Sequence, residues 1–241
     1  MTTTTEIQIP RDRSKTARGI RARVVQVAFV FAAQAAILFL CSGTFSWIWA
    51  WVYIGISILS FAVNGSILLR SSPETVAERG APKETMGWDK SISGLYALAH
   101  FLLLPLVAGL DERFLWTGRL GETWQIAGAG VFALALALGG WAMISNAFFS
   151  TAVRIQTDRN QTVCRSGPYR FVRHPGYAGF ILQSLSTAIL LGSLWSLIPA
   201  MAASALLVIR ASLEDRMLHS ELQGYREYAD EVRYRLIPGV W

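Results

Sequence analysis

Charged residues are confined to short segments of this chain, and long apolar runs separate those segments. The apolar runs are residues 24–40, 46–69, 91–110, 123–145 and 178–209. Runs of about 20 residues match the length that an α-helix needs to cross the hydrocarbon of a bilayer. Only 16% of the residues are charged, against roughly 25% in a soluble domain. The pattern predicts an all-α, polytopic integral membrane helical bundle and excludes a disordered chain, a disulfide scaffold and an ordinary soluble enzyme.

The last apolar run must contain a turn. A single helix over residues 178–209 would extend about 48 Å, which is too long for a hydrocarbon layer of roughly 30 Å. Gly192 and Ser193 lie in the middle of the run and form the natural break. We therefore predict about six transmembrane segments, the last two of which form a tight hairpin.

The basic residues predict the orientation of these segments. Of the 22 Lys and Arg residues, only Arg113 and Arg119 fall on one side of the predicted bundle. The other twenty lie in residues 1–23, 70–90, 146–177 and 210–241. Because cytoplasmic loops carry an excess of basic residues, we predict that both termini and the polar segments are cytoplasmic. Orientation thus explains the net charge of +6 without a nucleic acid partner.

The predicted organisation has three parts. Residues 1–23 form a basic cytoplasmic amino-terminal segment, and residues 24–145 form four transmembrane helices. Residues 146–241 form the region in which we expect the polar chemistry. A signal peptide is the alternative interpretation of the start of the chain, but its charged region would be unusually long and no small-residue cleavage site follows. We therefore predict that the first helix is retained.

Cysteine and histidine residues are too few and too scattered to indicate a metal site. The chain has Cys41, Cys164, His100, His174 and His219, whereas a structural zinc site usually needs four convergent ligands. His100 lies within the third apolar run, so it is a candidate functional residue by its position. A neutral hydrogen bond between helices is the alternative role for His100.

Two polar segments, residues 146–177 and 210–241, flank the predicted hairpin. The hairpin brings them to the same membrane face, where a basic loop meets a helix that carries both acids and arginines. A pocket with both charge signs suits a zwitterionic ligand. Arg210 and Glu214 are four residues apart and share one helical face, for which a simple ion pair is the alternative interpretation.

Residues 167–179 form the most unusual part of the first polar segment. They read Gly-Pro-Tyr-Arg-Phe-Val-Arg-His-Pro-Gly-Tyr-Ala-Gly, and the prolines and glycines favour an irregular, rigid backbone. Such a loop would present Tyr169, Arg173, His174 and Tyr177 just before a span. A membrane-anchoring belt of arginine and tyrosine is the alternative. The later aromatic residues, such as Tyr225, are expected either to fold back as a lid or to form an interface belt.

These two segments carry a family signature. Its residues are Gln156, Gly167-Pro168-Tyr169, Arg173-His174-Pro175-Gly176-Tyr177-Ala178-Gly179, Arg210, Glu214-Asp215, Leu218, Tyr225, Tyr228 and Arg235-Leu236-Ile237-Pro238-Gly239. Over about residues 145–241 the chain resembles the isoprenylcysteine carboxyl methyltransferase and phospholipid methyltransferase superfamily of integral membrane methyltransferases. The chain departs from the family's usual Glu-Glu pair at Asp215.

The resemblance implies that S-adenosylmethionine binds at the cytoplasmic face, between the loop before the hairpin and the helix after it. Carried over by position, the cofactor-binding residues are Gln156, Gln161, Thr162, Val163, Cys164, Tyr169, His174, Pro175, Gly176, Tyr177 and Glu214. The catalytic residues are Arg210, which would face the acceptor, and Arg173.

The chemistry of these side chains suits that cofactor. Glu214 can accept hydrogen bonds from the ammonium or the ribose, and His174 with backbone N–H groups can bind the carboxylate. Tyr169 and Tyr177 offer aromatic faces to the adenine or the sulfonium. Arg210, which is always charged, can hold a carboxylate or phosphate of the acceptor.

The sequence does not identify the methyl acceptor, and two alternative functions have to be considered. A prenylated-protein carboxylate, a phospholipid amine and a small hydrophobic thiol or acid are all compatible with the chain. We expect a lipophilic small molecule, a lipid or a lipidated acceptor that arrives from the lipid bilayer. An NADPH-dependent membrane reductase of the steroid or sterol type is the alternative enzyme, but the Arg210–Glu214 step favours methyl transfer. A transporter should carry midplane polar sites and repeats, and the polar residues lie at one face instead.

Overall fold

The computed structural model describes residues 13–81, 85–118 and 120–241, and these residues form only helices and turns. The helices in chain order are α1 (Arg13–Ser42), α2 (Ile48–Ser71), α3 (Pro73–Gly80), α4 (Gly87–Ala97), α5 (Leu104–Phe114), α6 (Glu122–Ser145), α7 (Pro175–Leu190), α8 (Leu197–Glu221) and α9 (Tyr225–Glu231). Residues 1–12 of the predicted basic segment, together with Arg119, lie outside the described residues.

Five helical stretches of the described chain are long and apolar enough to cross a membrane. They are α1, α2, the continuous stretch Gly87–Phe114, α6 and α8. In lipid, a helix satisfies its own backbone N–H and C=O groups, which no water is present to bind. The predicted polytopic helical bundle is therefore confirmed.

Helix α1 begins earlier than the sequence predicted. It starts at Arg13, inside the segment 1–23 that was expected to precede the first helix, so residue 23 is not a helix boundary. The reason is packing against α3. A Cβ atom on Gly19 would lie only 2.6 Å from the carbonyl oxygen of Ala77, so the two helices pack backbone to backbone.

The predicted break in the last apolar run is confirmed. Helix α7 ends at Leu190 and α8 begins at Leu197, and Gly192 in the turn has a φ of +74° that favours glycine. Asp111 at the end of α5 anchors this turn by accepting a 2.6 Å hydrogen bond from the Ser193 hydroxyl. With 16 residues, α7 is about 24 Å long, which makes it the shortest of the six predicted segments.

The third span contains a π-helical stretch, Leu98–Leu103, which carries His100. The His100 ring is buried, and its Nδ1 lies 2.9 Å from the Ser184 hydroxyl of α7. The other ring nitrogen has no partner among the described residues. This geometry agrees with the hydrogen bond between helices that was the alternative role for His100.

Glycine residues allow α6 and α7 to pack with their backbones in contact. A Cβ atom on Gly128 would lie 2.6 Å from the backbone nitrogen of Leu190, and one on Gly179 would lie 2.9 Å from that of Gly139. Small residues at a helix interface permit this close approach within a membrane. The contact fixes the start of α7, where the predicted site residues lie, against the end of α6.

We expect Gly128→Leu to destabilise the protein by about 1–3 kcal/mol, because overpacking a close contact forces the helices apart. The melting temperature of the purified protein in detergent measures the effect. Gly130→Leu is the matched control, since Gly130 lies on the same helix and has nothing within 4 Å of its Cβ position. Equal melting temperatures for the two variants would contradict the proposed role of this contact.

Candidate active site

The polar ends of the helices enclose a cavity of about 520 Å³. The loop between α6 and α7 lies on one side of it, and the later part of α8 lies on another. Of the thirteen predicted site residues, twelve line this cavity. Pro175 is the exception, because it is buried as the first residue of α7, a position for which its fixed φ is suited.

Asp215 is the centre of the polar network beside the cavity. Its carboxylate is fully buried and accepts hydrogen bonds from Arg173 Nε (2.9 Å), the Tyr225 hydroxyl (2.8 Å) and Arg235 Nε (2.8 Å). His174 Nε2 lies 3.1 Å from the same carboxylate. A buried carboxylate with this many partners joins the loop, helix α8 and the carboxyl-terminal tail.

Arg173 was predicted to be catalytic, but its guanidinium forms hydrogen bonds within the protein. Its Nε and Nη2 bind Asp215, and its Nη1 donates 2.9 Å hydrogen bonds to the carbonyls of Val232 and Arg233. All three guanidinium nitrogens are therefore engaged within the protein. Arg173 lines the cavity but holds the loop to the tail instead of presenting free donors.

The carboxyl-terminal tail covers the loop, as the lid interpretation expected. The backbone N–H of His174 donates a 2.8 Å hydrogen bond to the carbonyl of Arg235. Tyr225 and Tyr228 are buried, and the Tyr228 hydroxyl donates a 2.7 Å hydrogen bond to the carbonyl of Tyr169. Burial and then the charge of Asp215 raise the pKa of Tyr225, so its phenol stays protonated and donates to that carboxylate.

Glu214 directly precedes Asp215 on α8, and its side chain lines the cavity together with His174. The hydroxyl of Tyr177 donates a hydrogen bond to the Glu214 carboxylate. No other side chain of the described residues is recorded as a hydrogen-bond donor to Glu214. The carboxylate therefore keeps acceptor capacity for a ligand.

Arg210 does not form the ion pair with Glu214 that was the alternative interpretation of their spacing. Its Nε lies 2.6 Å from Asp89 on α4, and its Nη2 donates a 2.8 Å hydrogen bond to the carbonyl of Thr151. The guanidinium also lies 5.6 Å from the centre of the Tyr177 ring. Asp89 is 1% exposed and also accepts the backbone N–H of Val153 at 2.9 Å.

Sequence reasoning missed Asp89. The signal was present, because Asp89 is an acidic residue at the edge of an apolar run, where an unpaired charge is costly. What the sequence did not reveal was its partner, since Arg210 lies 121 positions later.

The stretch Gln161–Cys164 offers backbone groups to the cavity. Gln161 Oε1 accepts the backbone N–H of Gln156 at 2.7 Å, and Gln156 Nε2 donates to the carbonyl of Phe148 at 2.6 Å. Through these bonds Gln156 holds the backbone of the loop between α6 and α7 in place. The backbone N–H and C=O groups of residues 162–164 have no recorded partner among the described residues, and all three residues line the cavity.

Arg79 and Arg23 also line the cavity, although no sequence pattern had indicated them. The Arg79 guanidinium lies 5.2 Å from the centre of the Phe149 ring, and it makes no ion pair with a described carboxylate. Burial, followed by the charges of Arg23 and Arg210, lowers the pKa of Arg79 to about 9. A bound anion would relieve this repulsion.

The cavity thus has three kinds of wall. One side carries the Glu214 carboxylate and the His174 ring, and a second carries unpaired backbone groups. A third carries Arg79, Arg23 and the Asp89-paired Arg210. Such an arrangement can hold a ligand of mixed charge beside an anion.

We expect Asp215→Asn to lower the free energy of unfolding by about 3 kcal/mol or more, because it leaves the buried Arg173 without its counter-charge. Chemical denaturation in mild detergent measures the change. Glu231→Gln is the control, since the Glu231–Arg165 pair is exposed and such pairs contribute at most about 1 kcal/mol. Similar losses in both variants would argue against a central role for Asp215.

The part of the chain that contains this site matches known proteins. Residues 128–220 match the isoprenylcysteine carboxyl methyltransferase (ICMT) family. Protein-S-isoprenylcysteine O-methyltransferase B of Arabidopsis thaliana is 28% identical over 171 residues, which cover 65% of this chain and 80% of the relative. Protein-S-isoprenylcysteine O-methyltransferase A of the same plant is 27% identical, over 57% of this chain and 71% of the relative.

A probable protein-S-isoprenylcysteine O-methyltransferase of Oryza sativa subsp. indica is 25% identical, over 59% of this chain and 70% of the relative. The family match includes the Arg173–Gly179 motif and the Arg210–Asp215 step, and none of these relatives supports the reductase alternative. Through residues 128–220 the chain is similar to the isoprenylcysteine carboxyl methyltransferase family, and these matches indicate an integral membrane methyltransferase.

Proposed function

We propose that the protein transfers a methyl group from S-adenosylmethionine to an anionic acceptor that arrives from the membrane. The observation that carries this proposal is the shared cavity, in which Glu214 and His174 lie near unpaired backbone groups and the arginines lie on the third wall. S-adenosylmethionine supplies an activated methyl carbon when it is bound. The task of the protein is therefore to align the reactants and exclude water.

The residues present fit this donor. Glu214 would accept hydrogen bonds from its ammonium or ribose, and the backbone groups of residues 162–164 would bind the adenine edge. His174 would serve the carboxylate, oriented by Asp215, which fixes the ring through Nε2. Tyr169 and Tyr177 would offer aromatic faces, while Gly176, against the Phe149 ring, would keep the start of α7 close to the loop.

Four predicted site residues receive positioning roles in this proposal. Gln156 and Gln161 shape the loop through their mutual hydrogen bond, and Arg173 fixes it to the carboxyl-terminal tail. Cys164 is held in the same wall by its thiol, which lies 3.2 Å from the carbonyl of Ser145. These residues act on the ligand through the backbone that they hold in place.

The acceptor is best matched by a carboxylate. Arg79 has no carboxylate partner among the described residues, and Arg210, although paired with Asp89, also lines the cavity. A carboxylate acceptor needs no base to remove a proton, whereas an amine does. The relatives are named for O-methylation of protein-S-isoprenylcysteine, so a lipidated carboxylate is the acceptor class that we infer.

We also propose an orientation of the protein in the membrane. The Asp215 network, the loop and the cavity lie at the end of the bundle at which the basic segments gather. The excess of basic residues at that end favours a cytoplasmic active site, with both termini on that side.

Glu214→Ala or His174→Ala should each abolish donor-site binding while leaving folded protein. Titration of the purified proteins with S-adenosylhomocysteine and, separately, with NADPH measures this, and only S-adenosylhomocysteine should bind to the wild type. Glu227→Ala is a control on an exposed acid of α9 and should bind normally. Unchanged affinity in both site variants would reject the donor site, and NADPH binding alone would reject methyl transfer.

Arg79→Leu should reduce methyl incorporation at least tenfold without changing S-adenosylhomocysteine affinity, because it removes the charge that we assign to the acceptor. The assay follows labelled methyl from S-adenosylmethionine into membrane acceptors. A carboxyl methyl ester should release the label as methanol in base.

Arg70→Leu removes an exposed arginine of α2 and serves as the control. Label that is stable to base would identify N- or S-methylation and contradict a carboxylate acceptor. Full incorporation in Arg79→Leu would exclude Arg79 from acceptor binding.

A further inference from the structure

Asp89 forms more hydrogen bonds than its ion pair with Arg210 alone. Arg210 Nε lies 2.6 Å from Asp89 Oδ1, and the backbone N–H of Val153 donates to Oδ2 at 2.9 Å. The hydroxyls of Thr85 and Ser93 donate to the same carboxylate. Because Asp89 is buried and both of its oxygens are engaged, the carboxylate is held in one orientation.

The Arg210 guanidinium is held through two of its three nitrogens. Nε is bound to Asp89, and Nη2 donates to the carbonyl of Thr151 at 2.8 Å. Nη1 has no recorded acceptor among the described residues, and Arg210 lines the cavity. A guanidinium is a planar, rigid fork, so the bonds of Nε and Nη2 also set the direction in which Nη1 donates. Nη1 is therefore the nitrogen that remains for a ligand.

This free nitrogen belongs to a side chain that lies beside the proposed donor site. The Arg210 guanidinium carbon is 5.6 Å from the centre of the Tyr177 ring. The hydroxyl of the same tyrosine donates to Glu214, the carboxylate that we assign to the methyl donor. An anionic group bound to Arg210 would therefore lie next to the donor-binding wall of the cavity.

The Asp89–Arg210 pair is attached to the loop between α6 and α7 on both sides. The loop provides the Val153 N–H to Asp89 and the Thr151 carbonyl to Arg210. The Val153 carbonyl also accepts the backbone N–H of Met86, just before α4, at 3.3 Å. A long arginine side chain loses considerable rotamer freedom when it is held in this way. Helix α4 and the loop thus impose a single orientation on a side chain that α8 supplies.

We infer that Asp89 is a positioning residue for methyl transfer, because it holds Arg210 so that Nη1 meets the acceptor carboxylate in one fixed orientation. This inference rests on the proposed function and deepens it, since it separates alignment of the acceptor from binding of the acceptor. In the reaction, a carboxylate oxygen forms a bond to the methyl carbon while the carbon–sulfur bond breaks and sulfur keeps the electron pair. The products are a methyl ester and S-adenosylhomocysteine, and no proton is transferred. Alignment is therefore the main contribution of the protein to the rate.

The test measures acceptor binding and methyl transfer separately, with N-acetyl-S-farnesylcysteine as the carboxylate probe. Its dissociation constant is measured by titration in detergent with S-adenosylhomocysteine present. The transfer rate constant is measured in a single turnover with labelled S-adenosylmethionine at saturating probe. In Asp89→Asn we expect this rate constant to fall about tenfold or more, because the reactants are misaligned. The probe should bind at least as tightly as to the wild type, because the released Arg210 keeps its charge.

Glu78→Gln is the matched control for a purely structural role. The Glu78–Arg154 pair, at 2.8 Å, also joins an earlier helix to the loop, but neither member contacts Arg210. We expect Glu78→Gln to keep the wild-type rate constant and probe affinity. An equal loss of rate in this variant would show that any weakened attachment of the loop slows transfer.

A double variant tests whether Asp89 acts through Arg210. Arg210→Lys keeps the charge but lacks the planar fork, so it should also slow the transfer step. Adding Asp89→Asn to Arg210→Lys should then slow transfer by less than about threefold, because residues that act together are not additive. If Asp89→Asn does not fold, Thr85→Val replaces it, since it removes one donor to Asp89 and keeps both charges. The expected loss of rate in Thr85→Val is about threefold.

A wild-type rate constant in folded Asp89→Asn, or in Thr85→Val where it takes its place, would overturn the inference. Weaker probe binding that accounts for the whole loss of activity would also overturn it, as would an equal loss in Glu78→Gln or independent losses in the double variant. In each of these cases the wild type still methylates the probe, and the proposed function stands. Failure of the wild type to bind S-adenosylhomocysteine or to methylate the probe would reject both.

Discussion

The geometry of the site depends on one buried carboxylate. Asp215 lies on α8 and joins three parts of the chain that are distant in sequence: the loop at Arg173 and His174, the start of the tail at Tyr225, and the tail itself at Arg235. A fully buried charge is tolerated only when its partners satisfy it. The Asp215 carboxylate in turn fixes the position of each side chain that forms a hydrogen bond with it. The Asp215 network therefore fixes the geometry of the cavity wall nearest to His174.

The membrane part of the molecule supplies the other constraint. Glycines bring α6 and α7 into backbone contact, and Asp111 holds the turn between α7 and α8 through Ser193. Together these contacts set the angle at which α8 leaves the bundle. That angle places Glu214 on the cavity while Asp215, the next residue, points into the protein. Two consecutive residues of α8 thus differ in role: the Glu214 carboxylate faces the cavity, and the Asp215 carboxylate is buried in the protein.

Local sequence patterns predicted the bundle, the hairpin break at Gly192 and the two segments that carry the predicted site residues. They could do so because hydrophobic length, glycine at a turn and the Arg-His-Pro motif are all readable without knowledge of partners. The pairing of Arg210 with Asp89 was not predictable, since nothing local connects α4 to α8. The start of α1 was also misplaced, because its basic turns are stabilised by α3. Arg79 was overlooked for a similar reason: its burial is a property of the assembled helices.

The Arg210–Asp89 bond has a consequence for how this protein can diverge from its relatives. The family match covers residues 128–220, whereas Asp89 belongs to the earlier helices. This ion pair, like that of Arg154 with Glu78, thus joins the earlier helices to the part of the chain that the family match covers. An exchange of the first helices would therefore have to retain an acid opposite that arginine. A chimaera that lacked it would place an uncompensated cation at the boundary between the two parts.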